Sequence, residues 1–302
     1  MFYTIDDVLR LARTFKGLRV DVAEELRGWR WNDYPVAYPY GFKLSVADIA
    51  SGFCDTGRLV YVKYVLKARE RPNWRVRRGS LIHAVFARAV ETAKAVIYSG
   101  VVDGGEFKER FMEEGLKARP RILAEYSDVK GSDRLFDRLW SYAADTYASS
   151  LVKAASRSSH LSVDSLAALT VPLTAEFPID GSLVGLAPAI RVDALLHPNI
   201  IVELKTRELH PDYELGLAGY ALAYESQYEV PVDLALLVRV QVQRDGSFKL
   251  YERAVRLGEE LRSRFLERRD RLAKIVEEGE DPGRPSRCHP DCPFQAACRE
   301  VG

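Results

Sequence analysis

The chain has 302 residues, of which 47% are hydrophobic and 29% are charged, and its formal net charge is +1. These fractions are those of a folded globular protein with one large core or two modest ones, and they exclude a disordered chain. No apolar run is long enough to span a bilayer, and the first residues lack the basic and apolar segments of a signal peptide, so we expect a cytoplasmic protein.

The N-terminal part is predicted to contain two helices, at residues 4–16 and 45–66. Ser45 is placed to cap the second helix, with an acidic residue three positions later, and Cys54 interrupts it. Between the helices, residues 29–40 contain several aromatic side chains and two prolines. This segment could line a nucleic-acid groove, although such segments more often pack against a neighbouring element.

A basic stretch follows at residues 67–78, with six basic residues, one acidic residue and a tryptophan. Basic side chains neutralise phosphates and an aromatic ring stacks on a base, so this composition is compatible with nucleic-acid binding. The candidate DNA-binding residues are Trp74, Arg75, Arg77 and Arg78. An ordinary solvated basic loop is the alternative, because the near-neutral whole chain has no general attraction for phosphates.

The middle of the chain is predicted to be a helical block that gives way to strands. Apolar residues recur at helical spacing from Ser80 to about His160, with loops at 100–105 and near Gly131. The later elements are predicted in this order: strands at 171–177, 183–195 and 200–206, a helix at 211–225, and strands at 232–242 and 248–253 around a turn at Asp245-Gly246. A helix and a cysteine-containing loop complete the chain.

Two of these segments, residues 190–196 and 200–205, are predicted to pair as a β-hairpin. If the ladder closes symmetrically about the central turn, Asp193 faces Glu203 on the same side of the sheet. The period of two then brings Lys205 onto that side as well. The hairpin therefore predicts a convergence of three ionisable groups.

Two carboxylates and one ammonium group on the apolar face of a hairpin are expensive to bury. A divalent cation would explain them, because carboxylate oxygens suit Mg²⁺ and Mn²⁺, and a neighbouring lysine can hold or deprotonate the attacking water in phosphodiester cleavage. The alternative is a structural salt-bridge cluster among Arg191, Asp193, Glu203 and Lys205. The pattern alone leaves both interpretations open.

Four cysteines suggest a second metal centre. Cys54 stands alone, whereas Cys288, Cys292 and Cys298 crowd the C-terminus with three and five residues between them. This spacing favours an iron–sulfur cluster, but zinc uses similar spacing, and disulfides or free thiols remain open. Disulfides are rare in a reducing cytosol, yet hyperthermophiles keep them, and the excess of arginine over lysine hints at a thermophilic source.

The predicted order of a helix, three strands, a helix and a strand is the topology of the restriction-endonuclease-like fold. The residues on it resemble the PD-(D/E)xK nuclease superfamily, and more narrowly its RecB-like branch with a four-cysteine cluster. The matching residues are His83 in a Gly-x-x-x-His element, Asp193, Glu203 and Lys205 in a Glu-x-Lys element, and Tyr220 on the following helix.

The flanking segments narrow the resemblance to the CRISPR-associated exonucleases of the Cas-four family, and within it to the archaeal type I-A Csa-one branch. Residues 45–54 resemble the element with the first cysteine, residues 277–298 resemble the cysteine tail, and residues 25–29 together with the chain length indicate the branch. Two positions depart from the family pattern. Gly216 stands where a glutamine is common, and three rather than two residues separate the first two tail cysteines.

The resemblance implies a metal-dependent DNA exonuclease that processes DNA ends into prespacers during CRISPR adaptation. Its Mg²⁺ or Mn²⁺ ligands would be His83, Asp193, Glu203 and the Leu204 carbonyl. Lys205 would position or activate the hydrolytic water and steady the charge that develops on phosphorus. Tyr220 would orient the substrate, while the four cysteines would hold a 4Fe–4S cluster. The implied partners are DNA with single-stranded or frayed ends and the integrase proteins of adaptation. The alternatives are a DNA-end-binding subunit that does not cut and a general RecB-like repair nuclease.

We therefore expect an α/β fold with a restriction-endonuclease-like core sheet flanked by helices. Three regions are expected: residues 1–78 as an N-terminal helical region with the first cluster cysteine, residues 79–255 as the nuclease core with a helical insertion at about 100–165, and residues 256–302 as the C-terminal helix and cysteine loop. A cysteine-ligated metal cluster would join the first region to the last.

Overall fold

The computed structural model describes residues 1–18, 20–157, 160–243 and 245–300. Its helices are α1 (Ile5–Phe15), α2 (Val46–Ala50), α3 (Arg58–Val60), α4 (Trp74–Tyr98), α5 (Gly104–Glu125), α6 (Ser132–Arg157), α7 (Val163–Thr170), α8 (Asp212–Tyr228), α9 (Glu259–Glu278) and α10 (Gln295–Glu300). Its strands are β1 (Leu173–Ile179), β2 (Ile190–Leu196), β3 (Ile200–Lys205), β4 (Leu234–Val242) and β5 (Phe248–Arg256). Residues 158–159, in the predicted helical block, and 301–302, in the predicted C-terminal region, lie outside the described residues.

The five strands form one mixed sheet in the order β1-β2-β3-β4-β5. Neighbouring strands are antiparallel except β3 and β4, which run parallel and are joined by α8 as a crossover helix. β2 and β3 are buried along nearly their whole length, as expected for strands that are covered on both faces. The chain is thus an α/β fold with helices flanking a mixed sheet, as predicted.

Helices cover both faces of this sheet. On one face, the block of α4 to α7 packs against Val202 and Leu204. On the other face, α2, α8 and α9 pack against Val192 and Ile201. Because successive side chains of a strand point to opposite faces, β3 contributes alternately to both apolar cores. The end of β3 is therefore fixed from above and below.

The predicted register of the β2–β3 hairpin is confirmed. Leu196 pairs with Ile200, symmetrically about Pro198. Continued along the hairpin, this register sets Asp193 against Glu203, just beyond the last ladder pair between the two strands. The turn predicted at Asp245-Gly246 also lies where expected, between β4 and β5.

The strand predicted at residues 183–195 is wrong in its first half, because β2 begins only at Ile190. Ser182–Val184 forms a 3-10 turn, and Gly185 then takes a φ of 79°, a left-handed conformation that interrupts extended backbone. Apolar side chains in this segment fill the core from a turn rather than from a strand.

The helix predicted at residues 45–66 is divided. Ser45 caps α2 as predicted, because its hydroxyl accepts a hydrogen bond of 3.1 Å from the N–H three residues later. Gly52 and Gly57 then take φ values of 65° and 83°, so the chain turns between them. This turn places Cys54 in a loop, ahead of α3 and a short π-helix.

The basic stretch at residues 67–78 is only partly a loop. α4 begins at Trp74, earlier than the predicted start at Ser80. The Asn73 side chain caps it by accepting from the N–H groups two and three residues later, at 2.9 and 3.1 Å. The candidate DNA-binding residues therefore lie in the first turns of a long helix that is anchored against the sheet.

Buried arginines fix the segment before α2 to the far side of the sheet. The carboxylate of Glu225, fully buried on α8, accepts from Arg27 at 2.9 Å and from Arg262 at 2.7 Å. Arg269 of α9 donates to the carbonyl groups of residues 35–37. This part of the aromatic segment thus packs against its neighbours.

Within the described ranges, no helix combines the length and the apolar character that crossing a membrane requires.

Candidate active site

Two buried carboxylates and a lysine meet at the end of the β2–β3 hairpin. Asp193 and Glu203 are only 9% and 7% exposed. Lys205 Nζ donates to Glu203 Oε1 at 2.6 Å, and the Leu204 N–H donates to Asp193 Oδ2, also at 2.6 Å. The structure thus brings together the three groups that the hairpin pattern placed on one side of the sheet.

His83 reaches this point from α4, where its Nδ1 lies 2.8 Å from Asp193 Oδ1. Gly79, one turn earlier on the same helix face, packs against Thr206 just beyond β3. A Cβ atom at Gly79 would lie 2.9 Å from Thr206 Oγ1. The missing side chain therefore lets α4 approach β3 closely enough for His83 to meet Asp193, which is a physical reason for the Gly-x-x-x-His spacing.

Glu176 of β1 also lies at this site, and sequence reasoning missed it. The ladder pairs on either side of it, Ala175 with Ala194 and Phe177 with Val192, set it beside Asp193. Its φ is 48°, a left-handed value that is uncommon outside glycine. The available signal was an acidic residue in the middle of a predicted strand, but the strand pairing needed to interpret it is not contained in a local pattern.

The pKa values of the two hairpin carboxylates are shifted in opposite directions. Burial, together with the nearby charge of Asp193, raises the pKa of Glu203 to about 7. Burial also opposes the ionisation of Asp193, but His83, Lys205 and the Leu204 N–H favour its charged form, so that the pKa of Asp193 is lowered. One carboxylate is therefore firmly charged, while its neighbour is held near its titration point.

The donor set fits a hard divalent cation. One donor atom each from His83, Glu176 and Asp193 lies within 4.8 Å of the others. In addition, Glu203 Oε2 is buried and has no hydrogen-bond partner among the described residues. A buried acceptor without a partner costs about 1–3 kcal/mol, and a cation would satisfy it while offsetting the repulsion between carboxylates.

Two tyrosines of α8 border the site. Lys205 Nζ lies 5.0 Å from the ring centroid of Tyr213. Burial and the neighbouring charges of Glu203, Asp193 and Glu176 raise the pKa of Tyr220 well above its ordinary value, which locates its hydroxyl beside the carboxylates. Tyr220 can therefore act as a neutral hydrogen-bond donor at this site.

Gly216, at the position where the family pattern has a glutamine, faces α2 instead of the site. A Cβ atom there would lie 3.3 Å from the Cβ of Ala50 and 3.5 Å from Val46. The glycine is thus part of the close packing between α8 and α2.

Arg191 acts on the site only through its charge, which favours the ionised form of Glu176. It is exposed on β2, opposite Pro178 of β1, and within the described ranges it forms no ion pair with Asp193 or Glu203. Among the four residues of the alternative salt-bridge cluster, the described structure forms one ion pair, between Lys205 and Glu203.

The four cysteines are free thiols that share one neighbourhood. Burial raises the pKa of Cys292 to about 11, and the three other thiols, Cys54, Cys288 and Cys298, contribute to this rise because they lie nearby. The N-terminal loop and the C-terminal tail thus bring all four sulfurs to one end of the molecule. None of the four is in a disulfide.

Polar contacts fasten the cysteine tail to the N-terminal part. Arg58 of α3 donates to the Asp281 carboxylate at 2.6 Å and to the Cys298 carbonyl at 3.2 Å. Asp291 accepts from the Asn73 side chain at 2.8 Å and from Arg75 at 3.1 Å. The tail is therefore tied both to the first cysteine loop and to the beginning of α4.

The four candidate DNA-binding residues differ in their surroundings. Arg77 is engaged with Asp128 at 2.9 Å, whereas Arg75 pairs with Asp291. Trp74 is 56% exposed, and the guanidinium of Arg78 lies 5.0 Å from its ring centroid. The exposed ring of Trp74 thus stacks with the partly buried Arg78, and Arg77 is largely satisfied by protein groups.

Comparisons with known proteins agree over the whole length of the chain. A family model described as CRISPR-associated exonuclease Csa1 matches residues 1–301. A relative of that name from Saccharolobus solfataricus is 36% identical over 301 residues, which cover 99% of both chains. Another from Thermoproteus tenax is 33% identical over 300 residues, which cover 98% of this chain and 99% of that one. No solved structure matches the chain. The chain therefore belongs to the CRISPR-associated exonuclease Csa1 family.

Proposed function

We propose that this chain is a metal-dependent DNA exonuclease of the PD-(D/E)xK type. The observation that carries the proposal is the group of His83, Glu176 and Asp193, whose donor atoms lie within 4.8 Å of one another. The buried Glu203 carboxylate is close enough to feel the charge of Asp193, and its Oε2 has no partner among the described residues. Lys205 stands beside it. The names of the relatives support the reaction class, since both are called exonucleases.

His83, Asp193, Glu203 and the Leu204 carbonyl would hold Mg²⁺ or Mn²⁺, and Glu176 offers a further carboxylate beside them. The bound cation supplies Lewis acidity at the scissile phosphate. Asp193 is prepared for this task because its charge is already stabilised by the Leu204 N–H. His83 must be neutral to act as a ligand, so the cation would displace any proton that its contact with Asp193 favours.

Lys205 acts as a cationic donor rather than as a base. Burial opposes its charge, but Glu203 and Asp193 favour it more strongly, so that the pKa of Lys205 is raised. The ammonium group would orient the attacking water and stabilise the negative charge that develops on the phosphate oxygens. Tyr220, whose raised pKa keeps its hydroxyl protonated, would donate a hydrogen bond to the substrate.

The cysteines are proposed to hold a 4Fe–4S cluster with a structural role. Their shared neighbourhood supports a metal centre. The spacing of three and five residues between the tail cysteines favours a cluster. Such a centre would join the region 1–78 to the region 256–302 across the nuclease core at 79–255.

The biological role that we propose is the trimming of DNA ends into prespacers during CRISPR adaptation. The relatives are named as CRISPR-associated, which supports a place in such a system. DNA with single-stranded or frayed ends would be the substrate, and the integrase proteins of adaptation would be the partners.

The test is cleavage of end-labelled DNA with Mn²⁺ or Mg²⁺ by the purified full-length protein. Asp193→Ala and Lys205→Ala are expected to lower the rate by about 10²–10³-fold or more, because each removes a group that acts on the transition state. Arg264→Ala, an exposed change on α9 outside the lining of the cleft, is the control and should cut normally. Normal cleavage by Asp193→Ala or Lys205→Ala would contradict the assignment.

A further inference from the structure

A second cavity, of about 470 Å³, lies next to the carboxylate site and is built by five parts of the chain. The first turns of α4, the segment from Thr206 to the start of α8, the cysteine tail, the turn after α2 and the last residues of β4 all contribute to its wall. Its basic side chains are Arg75, Arg78, Arg207, Arg239, His210 and His289. We call it the arginine cavity.

The arginine cavity carries an excess of positive charge. Four guanidinium groups line it, against two carboxylates, those of Glu208 and Asp291. Both carboxylates are already used, because Glu208 pairs with Arg239 and Asp291 with Arg75. Two charges therefore remain uncompensated in the wall.

Those two charges belong to Arg78 and Arg207, which form no carboxylate ion pair within the described residues. Aromatic rings hold them instead. The guanidinium of Arg207 lies 4.6 Å from the ring centroid of Phe53, and that of Arg78 lies 5.0 Å from the ring centroid of Trp74. Stacking orients a guanidinium group while leaving its edge free to donate, so both are positioned for an acceptor that the protein does not supply.

Three guanidinium nitrogens around this cavity are buried without a hydrogen-bond partner among the described residues: Arg78 Nε, Arg207 Nη1 and Arg239 Nε. Buried donors are nearly always paired, and leaving one unpaired costs about 1–3 kcal/mol. An anion with several oxygens, placed among these arginines, would satisfy them together.

The arginine cavity is continuous with the catalytic cleft. The cleft that contains His83, Glu176 and Lys205 shares three wall residues with it, namely Arg75, Thr206 and Arg207. A strand with one phosphate at the carboxylates could therefore place a neighbouring phosphate among the arginines without leaving the protein surface.

We propose that the arginine cavity is a phosphate-binding site for the DNA strand that is being cut. This inference rests on the proposed function, and it names a contact beyond the scissile phosphate. The phosphate is either a terminal monoester or an internal diester of the strand, since both present the oxygens that the arginines require. Asp291 orders Arg75, so the cysteine tail forms one wall of a site that holds substrate.

The test is binding of fluorescent single-stranded DNA to the full-length protein without added divalent cation, so that cleavage does not interfere. Arg207→Gln and Arg78→Gln are each expected to weaken binding by about tenfold. Each should also lower the slope of log affinity against log salt by about 0.7, as expected for the loss of one phosphate contact with a single strand. Arg264→Gln, the same change on the exposed face of α9, is the control.

Oligonucleotides with a 5′-phosphate, a 3′-phosphate or unphosphorylated ends distinguish the two sources. If the cavity variants lose affinity only for an oligonucleotide with one of the phosphorylated ends, the site binds a terminal monoester. If they lose affinity equally for all three oligonucleotides, it binds an internal diester. Wild-type affinity and salt slope in both cavity variants would overturn the proposal, as would a wild-type protein that does not bind DNA.

Failure of this inference is separable from failure of the proposed function. Wild-type protein that binds DNA through Arg207 but does not cut it with Mn²⁺ would overturn the nuclease assignment alone. Protein that cuts normally, with Arg207→Gln and Arg78→Gln both binding as the control does, would overturn the cavity alone. If the cavity variants unfold at the same thermal midpoint as the Arg264→Gln control, their weaker binding comes from the lost contact and not from a loss of folding.

Discussion

The carboxylate site and the cysteine tail are assembled in opposite ways. The carboxylate site stands on strands and on the long helix α4, and hydrogen bonds of 2.6–2.8 Å already hold Asp193. The cysteine tail consists of loops and the six-residue α10, and Cys288 in it is exposed. Rigid elements can preserve a geometry that lacks its ion, whereas a short loop-rich segment depends on the ligand that joins it.

From this difference we expect the largest effect when one of the four cysteines is replaced, and we expect it to appear as a loss of stability in the cysteine tail. With the proposed 4Fe–4S cluster, anaerobically purified protein is expected to be brown, and Cys292→Ser is expected to remove that colour. The same change should open residues 280–300 to protease, because structural metal centres of small domains contribute on the order of 10 kcal/mol to folding. Absorbance, thermal midpoint and limited proteolysis measure it.

Asp193→Ala is the matched comparison, since it should keep colour and protease resistance while losing cleavage. A tail that stays resistant in Cys292→Ser would remove the contrast between the two regions. A colourless wild-type preparation with stoichiometric zinc would refute the iron–sulfur cluster, but it would not affect the proposed carboxylate site.

A smaller effect is expected where α4 meets β3. Gly79→Ala places a Cβ atom 2.9 Å from Thr206 Oγ1, and overpacking of this kind typically costs about 1–3 kcal/mol. The helix would shift away from the strand and carry His83 with it, so the cleavage rate should fall by about tenfold while the tail stays intact. Cleavage kinetics and Mn²⁺ affinity measure the change.

Thr206→Ala removes the atom that the new methyl group meets. The double variant should therefore recover at least part of the cleavage rate and of the Mn²⁺ affinity. A double variant as impaired as Gly79→Ala alone would show that contact between these two residues does not set the position of His83.

The smallest effect concerns pH and arises from Glu203. Its pKa is raised from 4.5 to about 7, so the folded metal-free protein keeps a proton that the unfolded chain has released in this range. Stability of the metal-free protein therefore falls as pH rises from 4.5 to 7. Cation binding must displace the same proton, so Mn²⁺ affinity should fall by up to tenfold for each pH unit below 7.

Calorimetric titration with Mn²⁺ on either side of pH 7 tests this sign, with Glu203→Gln as the variant in which the dependence should flatten. An affinity that is constant across this range in the wild type would contradict the role of Glu203 as a ligand.

The hairpin half of the site could be predicted from the sequence because its geometry follows from a local pattern. A period of two and a symmetric turn suffice to set Asp193 against Glu203 and to bring Lys205 alongside. His83 came from the family resemblance, since a histidine on a helix says nothing by itself about which strand it meets. The structure adds the reason, which is the close approach that Gly79 allows.

The remainder of the site depends on pairing between distant segments. Glu176 lies beside Asp193 only because β1 pairs with β2 in one register, and its left-handed backbone has no local signal. Likewise, Arg207 and Arg239 come together across the parallel β3–β4 pair, which local periodicity does not specify. The strand predicted too early, at residues 183–195, fails for the converse reason, since its apolar residues are buried from a turn.

The contact between Asp291 and the start of α4 couples two regions that lie far apart in the chain. The helix that carries His83 begins where Asn73 and Arg75 bind the Asp291 carboxylate, and the backbone of Arg71 donates to the carbonyl of Pro293. Local unfolding of the cysteine tail would remove all three contacts at once. The first turn of α4 would then fray, and the disturbance would spread along the helix toward His83.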